Sequence, residues 1–491
     1  GWCSGAGNNE IRGRQLSFRE WSIDRTETRL AMWSKKTGTI CGAFSLIVAA
    51  LSIFVLLEFD DFYRDLLNKQ VSITEGSTAF HVWKDVGSCY DMSANMYFFN
   101  ITNVEAVRSG KTKPRLRQMG PYSYRIVWVK DNITFNDNGT VSFLEKITFH
   151  FDAENSKGSE DDLVTTVNVP YVRNDTFSQL LTMFTGEGDI SRINYLDTVD
   201  GKRRLNIWPD ELCDQVRGSF GNVRPPLSTS NSETVFIPDL KRTFDLHHVA
   251  DSKVGSLNTR RFAVTSELFD KKSPQNACYN GARKHLPSGV SDFGPLQDGV
   301  PIVVSLPHFL YGSSSLLKGV DGLDPEKQQH LFYIDSEPTT GASVSGRVRL
   351  QLNVLLKNIL AFSSTELGYT VLPLFWQEVV AEAQEHTLTR IRLAVLAPML
   401  VRCSAIFLLV GSAILAIVAV VSIFRSRRRM QRNVSDPSRM LKDKLAIYLN
   451  GGSFLGNRDN NNDFTKEGGC PVTLAAPEVP EADALLKSTA V

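Results

Sequence analysis

Two long apolar stretches stand near the ends of the chain. Residues 37–57 form 21 consecutive uncharged positions, and residues 403–424 form 22. At 1.5 Å per residue a helix of either length is about 30 Å long, which matches the hydrocarbon thickness of a bilayer. A buried core helix is the alternative, but such a helix rarely runs this far without a polar face. We predict two membrane-spanning helices.

The charges that flank these stretches predict their orientation. Arg25, Arg29, Lys35 and Lys36 precede the first stretch and Glu58, Asp60 and Asp61 follow it, whereas Arg425, Arg427, Arg428, Arg429, Arg432 and Arg439 follow the second. Since basic flanks stay in the cytoplasm, we expect cytoplasmic segments at 1–36 and 425–491 and an extracellular or lumenal ectodomain at 58–402. The first stretch is too long and too far from the start to be a cleaved signal peptide, so we interpret it as a retained signal anchor.

The strongest patterns in the ectodomain have a period of two. Every second residue from Val348 to Val354 is apolar, which is typical of a half-buried antiparallel strand. Further strand candidates are Val141 with Phe143, Ile147 with Phe149 and Phe151, Tyr97 with Phe99 and Ile101, residues 235–237 and residues 302–306. The best helical pattern runs over residues 374–396. We therefore predict a mixed α/β, β-rich ectodomain between the two helices.

Composition excludes several classes of protein. The 491 residues carry 54 Lys and Arg against 53 Asp and Glu, so no basic field indicates a nucleic-acid partner. A hydrophobic fraction of 42% excludes a wholly disordered chain. The tail from Ser435 onward is polar and rich in glycine and asparagine, and we expect it to be mostly disordered.

Catalytic and metal-binding signatures are absent from the sequence. It contains no GxSxG, HExxH or CxxC motif and no phosphate loop, so we predict no enzyme activity, no metal and no cofactor. Thr134 to Glu145 approximates a calcium loop, but its first position is not Asp and its flanks resemble strands, which favours a hairpin at Asp137-Asn138-Gly139. We interpret His308 as a packed loop residue rather than a ligand.

Four glycosylation sequons support the assigned topology. Asn100, Asn132, Asn138 and Asn174 all fall within the part of the chain predicted to lie outside the cytoplasm. A fifth sequon at Asn433 lies in the basic cytoplasmic flank and is expected to stay unmodified.

A series of local motifs resembles the class B scavenger receptor family, which includes fatty-acid translocase and the lysosomal integral membrane protein. The motifs are Tyr97-Phe-Phe-Asn-Ile-Thr-Asn103, Gly120-Pro-Tyr-Ser-Tyr-Arg125, Val300-Pro-Ile-Val-Val-Ser-Leu-Pro-His-Phe-Leu310, Gly322-Leu-Asp-Pro-Glu-Lys-Gln-Gln-His330, Ile334-Asp-Ser-Glu-Pro-Thr-Thr-Gly341, Leu350-Gln-Leu-Asn-Val354 and Leu372-Pro-Leu-Phe-Trp376. Together they cover nearly all of the chain between the two apolar stretches.

The resemblance implies a fold and a function. It implies a β-barrel-like ectodomain with an apolar lipid tunnel that opens toward the membrane. It implies a plasma-membrane receptor that binds fatty acids, sterols or lipoprotein particles and cycles to endosomes or lysosomes. Two further readings stay open, a trafficking receptor for a protein partner and a sensory lipid co-receptor; an ectoenzyme is a distant fourth. The GxxxG spacing of Gly38 and Gly42 permits close helix packing, and a homo-oligomer is a further expectation.

Two departures from the family pattern matter. The helical head of the family has only residues 171–183 as its counterpart, so we expect the head to be missing. The resemblance also implies a Cys213–Cys278 disulfide, while Leu240 and Leu296 replace a second cysteine pair and Cys89 is left over.

Two short signals end the cytoplasmic tail. Glu481 with Leu485 and Leu486 has the acidic-dileucine spacing that clathrin adaptors bind. Thr489 and Val491 fit a terminal ligand for a PDZ domain, in which the peptide adds a strand to a sheet edge. We expect these two partners to compete, because their sites are adjacent.

Overall fold

The computed structural model describes residues 8–167, 176–280, 283, 285–357 and 369–434. Its helices are α1 Asn8–Val71, α2 Thr78–Lys84, α3 Val104–Arg108, α4 Glu211–Asp214, α5 Pro274–Ala277, α6 Ser314–Lys318, α7 Lys327–His330 and α8 Glu385–Val434. Its strands are β1 Tyr90–Ile101, β2 Leu116–Asn136, β3 Thr140–Phe151, β4 Thr176–Phe184, β5 Leu196–Val199, β6 Ser232–Ile237, β7 Arg242–Val254, β8 Leu257–Ala263, β9 Val290–Asp292, β10 Ile302–Ser305, β11 Tyr333–Ser336, β12 Ser343–Lys357 and β13 Tyr369–Ala383.

Helices α1 and α8 contain the two apolar stretches. Both are long and apolar enough to cross a membrane, over Lys35–Val71 and Glu385–Gln431, and little of either is buried in the protein. The helices extend past the predicted spans on the ectodomain side. The described residues divide into two compact units, residues 41–417 and the remaining parts of α1 and α8. In the smaller unit, a Cβ at Gly38 would lie 3.1 Å from Ile423 Cγ1, so glycine permits close packing of the helices there.

The ectodomain is built on one antiparallel sheet. Its strand order is β5-β4-β3-β2-β1-β13-β12-β11-β8-β7-β6, and β9 and β10 add to it through β12. The segment at Gly218 and Ser219 lies between the two edges, because Gly218 O accepts from Leu196 N at 2.9 Å and Ser219 N donates to Thr234 O at 2.8 Å. The sheet is thus nearly closed, which confirms the predicted barrel-like, β-rich ectodomain between two terminal helices.

Two glycines of the family-like motifs have a steric role. A Cβ at Gly120 would lie 2.6 Å from Met96 O, beside the bulge where β1 shifts register against β2. A Cβ at Gly322 would lie 2.1 Å from Leu116 O. Both residues also have positive φ angles, so a side chain at either position would force the backbone apart.

The helix predicted over residues 374–396 is wrong over its first part. Residues 374–383 belong to β13, which pairs with β1 on one side and β12 on the other, and the helix begins only at Glu385. Leu374 and Trp376 are buried in the sheet. An apolar run that is buried on both faces has no alternation, so its composition alone does not separate a strand from a helix.

Strand β12 is present as predicted, but its polar face is the covered one. Gln351 and Asn353 have no exposed surface, whereas Leu350 and Leu352 face an internal cavity. Asn353 Nδ2 donates to Ser305 Oγ at 3.0 Å, and Gln351 Oε1 accepts from His308 N at 2.7 Å. The polar face of β12 therefore packs in a hydrogen-bonded layer inside the protein, and its apolar face forms part of the cavity wall. Neither face corresponds to the solvent-facing side that the alternation predicted.

The connection between β3 and β4 is short. At most 24 residues, 152–175, separate these strands, and the described part of the connection, 152–167, contains no helix. Residues 168–175, which include the sequon at Asn174, lie outside the described residues. The predicted hairpin between β2 and β3, at residues 137–139, is confirmed.

Candidate functional site

A large cavity of about 1210 Å³ lies inside the nearly closed sheet. It is larger than the roughly 300–1,000 Å³ of ordinary small-molecule pockets. Side chains of β1, β2, β3, β12 and β13 form much of its wall, because alternate residues of each strand point to the same face. The wall is predominantly apolar, and its aromatic rings include Trp83, Trp128, Phe149, Phe220, Phe236 and Phe375.

One end of the cavity lies between the helices that lead to the predicted spans. Its lining there is Leu67, Gln70 and Val71 of α1 and Thr387, Arg390, Ile391, Leu393 and Ala394 of α8. The helices are joined just beyond this point, where Tyr63 Oη donates to Ala394 O at 2.8 Å and Arg402 forms an ion pair with Asp60. The cavity wall is thus continuous with the ectodomain ends of both long helices.

The wall also contains charged residues. Lys130 on β2 lies opposite Glu145 on β3, and Glu145 lies opposite Gln179 on β4. All three are buried, and the Glu145 carboxylate lines the cavity, where its Oε1 accepts from Trp128 Nε1 at 2.7 Å. The Lys130 ammonium lies 5.2 Å from the ring centroid of Trp83 and 4.8 Å from that of Trp128.

Burial perturbs the titration of this pair in opposite directions. Desolvation raises the pKa of the Glu145 carboxyl, and the Lys130 charge only partly opposes the rise. Desolvation lowers the pKa of the Lys130 ammonium, against the attraction of Glu145 and Asp85. Both shifts disfavour the charged form, which is the expected result of placing charges in an apolar interior.

Neither Lys130 nor Glu145 was predicted as a site residue. Glu145 could have been found from its position in the alternating pattern of β3. It occupies the same alternate positions as the apolar residues of that strand, which are Val141, Phe143, Ile147 and Phe149. An acidic residue at an inward position of an apolar strand face is rare unless it has a partner or a ligand.

The packed-loop interpretation of His308 is confirmed. Its Nε2 donates to Gln118 Oε1 at 2.7 Å, its Nδ1 accepts from Asp324 N at 2.9 Å, and its ring stacks on His330 at 4.3 Å. Burial lowers the pKa of His308 to about 4. Within the described ranges, no group of His, Cys, Asp and Glu side chains is arranged to hold a metal ion.

Among the described residues, the cysteines form one bonded pair and three thiols. Cys213 and Cys278 are joined by a disulfide, with their Cα atoms 5.9 Å apart. Cys89 is buried as a free thiol, and Cys41 and Cys403 lie in the long helices. Leu240 and Leu296 are partly buried against the core.

The remaining predicted site residues are on the surface or outside the described part of the chain. Asn132 and Asn138 are exposed, whereas Asn100 is half-buried and its Oδ1 accepts from Thr165 N at 2.8 Å. Residues 435–491 are not among those described, so the sorting signal at Glu481, Leu485 and Leu486 and the PDZ ligand at Thr489 and Val491 have no structural account here.

Comparison with known proteins identifies relatives over most of the chain. The CD36 family matches residues 40–181 and 171–423. Scavenger receptor class B member 1 of Bos taurus is 26% identical over 487 residues, which covers 84% of this chain and 94% of that protein. Sensory neuron membrane protein 2 of Ostrinia furnacalis is 26% identical over 454 residues, covering 71% of this chain and 86% of the relative. Protein peste of Drosophila melanogaster is 26% identical over 440 residues, which covers 74% of this chain and 79% of that protein.

Two terminal helices, a nearly closed antiparallel sheet and a large apolar cavity define a membrane-anchored binding protein. The family match covers well over half of the chain in two segments that overlap at residues 171–181. The chain belongs to the CD36 family, the class B scavenger receptors, and it is a membrane protein with two spans.

Proposed function

We propose that this protein is a scavenger-type receptor of the plasma membrane that takes up lipids and passes them to the bilayer through its internal cavity. The observation that carries the proposal is the continuity of the cavity wall, which runs from Phe236 to the ectodomain ends of α1 and α8. Similarity to scavenger receptors supports lipid and lipoprotein particles as the ligands.

The cavity would act by lowering a solvation barrier rather than by chemistry. Exposing each CH₂ group of a lipid to water costs about 0.8 kcal/mol, so a long acyl chain faces a barrier of roughly 10 kcal/mol when it leaves a particle through water. A wall of aromatic and aliphatic side chains removes most of that cost. No catalytic group is required, and the proposed role is therefore that of a receptor and not of an enzyme.

Filling the cavity tests the proposal. Ala381 lies on the wall beside Gly346, so Ala381→Trp would place an indole in the path. We expect it to reduce uptake of fluorescent fatty acid and cholesterol by transfected cells at least fivefold at equal surface expression. Ala250→Trp on an exposed part of β7 is the matched control and should leave uptake unchanged. Undiminished uptake by the Ala381→Trp variant would exclude the cavity as the route.

The short connection between β3 and β4 bears on capture of particles. We propose that the missing head weakens binding of large lipoproteins more than entry of free lipid, because the barrel itself is intact. Grafting a family head between Val167 and Thr176 should increase lipoprotein binding strongly. If the grafted variant bound lipoproteins no better than the parent, the head would not be the part that captures particles.

A sensory lipid co-receptor is a second candidate, and it is supported by similarity to sensory neuron membrane protein 2 of Ostrinia furnacalis. Uptake of lipid by cells that express this protein alone favours the scavenger function, whereas a response that requires a co-expressed channel favours the sensory one. Delivery of a lysosomal enzyme would indicate the trafficking alternative.

The cytoplasmic tail is proposed to sort the receptor between the surface and endosomes. Leu485→Ala with Leu486→Ala should trap it at the surface, because the leucine pair fills an apolar pocket of the adaptor. Val491→Ala should speed internalisation by removing a competing PDZ contact. Surface biotinylation measures both rates, and a double leucine variant that is internalised like the parent would exclude this signal.

A further inference from the structure

Unsatisfied polar atoms are concentrated behind one part of the cavity wall. Within the described part of the chain, Lys130 Nζ, Trp83 Nε1 and both amide atoms of Gln179 have no hydrogen-bond partner, although all are buried. These are four of the eight such atoms in the described residues. Buried polar groups are nearly always paired, and each unpaired one costs roughly 1–3 kcal/mol. A cluster of them beside a cavity indicates a partner that enters from the cavity.

Lys130 is the most costly member of this cluster. Its ammonium donates no hydrogen bond within the described residues, and Glu145 and Asp85 attract it only as charges without a hydrogen bond. It lies instead against the indoles of Trp83 and Trp128, both of which line the cavity. Indole faces compensate for only part of the lost hydration of an ammonium. The ammonium therefore lies immediately behind the wall with its hydrogen atoms uncommitted.

Glu145 supplies the opposite half of the site. Its carboxylate lines the cavity, and Trp128 Nε1 bonds to Oε1. Oε2 accepts no hydrogen bond from the described residues, so the wall offers an acceptor beside the uncommitted donors Lys130 and Trp83. Asp239 lines the same part of the cavity and acts on Glu145 as a second negative charge.

This arrangement discriminates among the polar groups that a lipid can carry. A carboxylate would be attracted by Lys130 and repelled by Glu145, and the repulsion acts at shorter range because Glu145 lines the cavity whereas Lys130 lies behind the wall. An ester or ether oxygen accepts from Lys130 but gives Glu145 no hydrogen. Of a carboxylate, an ester or ether oxygen and a hydroxyl group, only the hydroxyl both accepts and donates, so it complements both halves of the pair.

We propose that Lys130 and Glu145 bind the hydroxyl group of an uncharged lipid in the cavity and thereby determine which lipids the receptor carries. The shared chemistry is a single hydroxyl on an apolar body, which a sterol or a long-chain alcohol provides. The inference rests on the proposed function, because it requires that lipid enter this cavity.

The test compares matched lipids on the full-length protein in detergent micelles at pH 7.4. The tritiated probes are octadecan-1-ol, its methyl ether and stearate, with cholesterol and cholesteryl methyl ether as a second series that separates linear from ring-shaped lipids. We expect wild-type protein to bind at least one alcohol about tenfold more tightly than its ether, which corresponds to about 1.4 kcal/mol. Stearate should bind more weakly than octadecan-1-ol.

Substitutions at the pair should change these preferences in a specific way. Glu145→Gln presents an amide donor, which an ether satisfies as well as an alcohol, so the preference should fall below threefold while stearate binding improves. Lys130→Met should weaken the alcohols about tenfold and the ethers similarly. Lys146→Met, on the other face of β3 where it pairs with Asp131, is the matched control and should change nothing. The ratio of two lipids on one preparation does not depend on the folded fraction.

Three outcomes would overturn the inference. Equal binding of alcohol and ether by wild-type protein would exclude a hydroxyl site, as would an unchanged preference in Glu145→Gln. Stearate binding that is stronger than that of the alcohol and is lost in Lys130→Met would assign a carboxylate site instead. The Ala381→Trp variant distinguishes a failure of the proposed function from a failure of the hydroxyl assignment alone. If it still binds every probe, the proposed function fails, whereas loss of binding there with an unaltered Glu145→Gln preference defeats only the hydroxyl assignment.

Discussion

Arg242 and Lys130 are both buried cations against aromatic rings, but their surroundings differ. Arg242 on β7 donates to Asn276 Oδ1 at 2.5 Å, to Leu268 O at 3.2 Å and to Ser291 Oγ, and its guanidinium lies 4.1 Å from the Tyr279 ring centroid. Lys130 has the rings without the hydrogen bonds. The guanidinium of Arg242 connects several segments through hydrogen bonds, whereas the ammonium of Lys130, behind the cavity wall, forms none within the described residues.

The two regions also differ in the space around the cation. Beside the Arg242 region, a pocket of about 30 Å³ is lined by Cys213, Asn276 and Tyr279. Lys130 stands behind the wall of a cavity of about 1210 Å³. The packed Arg242 region contributes to stability through three hydrogen bonds, although Arg242 Nε has no partner among the described residues. In the proposed role of the cavity, the unformed hydrogen bonds near Lys130 would contribute to binding at the expense of stability.

Removing the disulfide should have the largest effect, because it closes a long loop in the Arg242 region. Cys213→Ser with Cys278→Ser frees a loop with a sequence separation of 65 residues. On the chain-entropy model we expect a loss of about 4 kcal/mol in the free energy of unfolding, measured by denaturant titration. Cys89→Ser is the control and should cost much less. Alkylation of Cys213 in the native, unreduced protein would contradict the bond itself.

Arg242→Met should cost about 3 kcal/mol, because it leaves the oxygens of Asn276, Ser291 and Leu268 without their donor. Denaturant titration again measures the free energy of unfolding. Arg203→Met removes an exposed arginine paired with Asp197 and should change the free energy by less than about 0.5 kcal/mol. Equal effects of the two substitutions would show that the buried hydrogen bonds do not support this region.

His308 differs from both buried cations, because it is a buried base that stays neutral. Its folded pKa of about 4 is below the ordinary 6.5, so the unfolded chain binds the proton more readily. Stability from this group is complete above about pH 7 and falls as the pH drops from 6.5 toward 4, with a loss of about 2 kcal/mol by pH 5. Unfolding at pH 7.5 and 5.0 measures it.

A matched pair of variants assigns that pH dependence. His308→Asn should remove the His308 share of the slope and leave the share of His330, whose pKa burial lowers to about 3. Asparagine is a suitable replacement because it tolerates the φ of 54° at this position. His81→Asn, at an exposed position of α2, should leave the slope intact. If His308→Asn retains the full slope, other groups, such as the neighbouring His330, carry the dependence.

Lys130→Met should have the smallest effect on the free energy of unfolding, and it should stabilise the protein where the preceding substitutions destabilise it. Replacing an unpaired buried ammonium with an apolar side chain of similar length should raise the free energy of unfolding by about 1 kcal/mol. Lys146→Met is the control and should be neutral or slightly destabilising, because it removes a half-exposed pair with Asp131. A loss of stability in Lys130→Met would mean that the ammonium is paired after all, and the contrast with Arg242 would disappear.

Patterns with a clear period allowed the sequence to predict much of the fold. The spans and the strands around Phe149 and Val354 followed from runs or alternation, and the hairpin at Asn138 followed from its turn residues. The segment at residues 374–383 did not, because a strand covered on both faces loses its period. The burial of Gln351 and Asn353 was not predictable either, since it depends on β10 lying against β12 and on a cavity occupying the other side.

The candidate site was less accessible to prediction than the fold. A cavity arises from the closure of strands far apart in the sequence, and no local pattern records that closure. Glu145 carried a signal through its inward phase, but Lys130 did not, because its significance lies in bonds that it fails to make. That property is visible only when every neighbour has been placed.

The pairing of β1 with β13 determines how the receptor carries mechanical load. These strands are antiparallel neighbours, and the ends that connect to α1 and α8 meet where Tyr90 lies opposite Ala383. Cys89 O fastens this junction by accepting from Gln384 N at 2.9 Å and from Thr387 Oγ1 at 3.1 Å. If a bound particle pulled on the ectodomain, tension from both anchors would enter at one junction and run in the same direction along both strands. The hydrogen-bond ladder between them would then be neither sheared nor unzipped, and the load would pass to the ladders with β2 and β12 on either side.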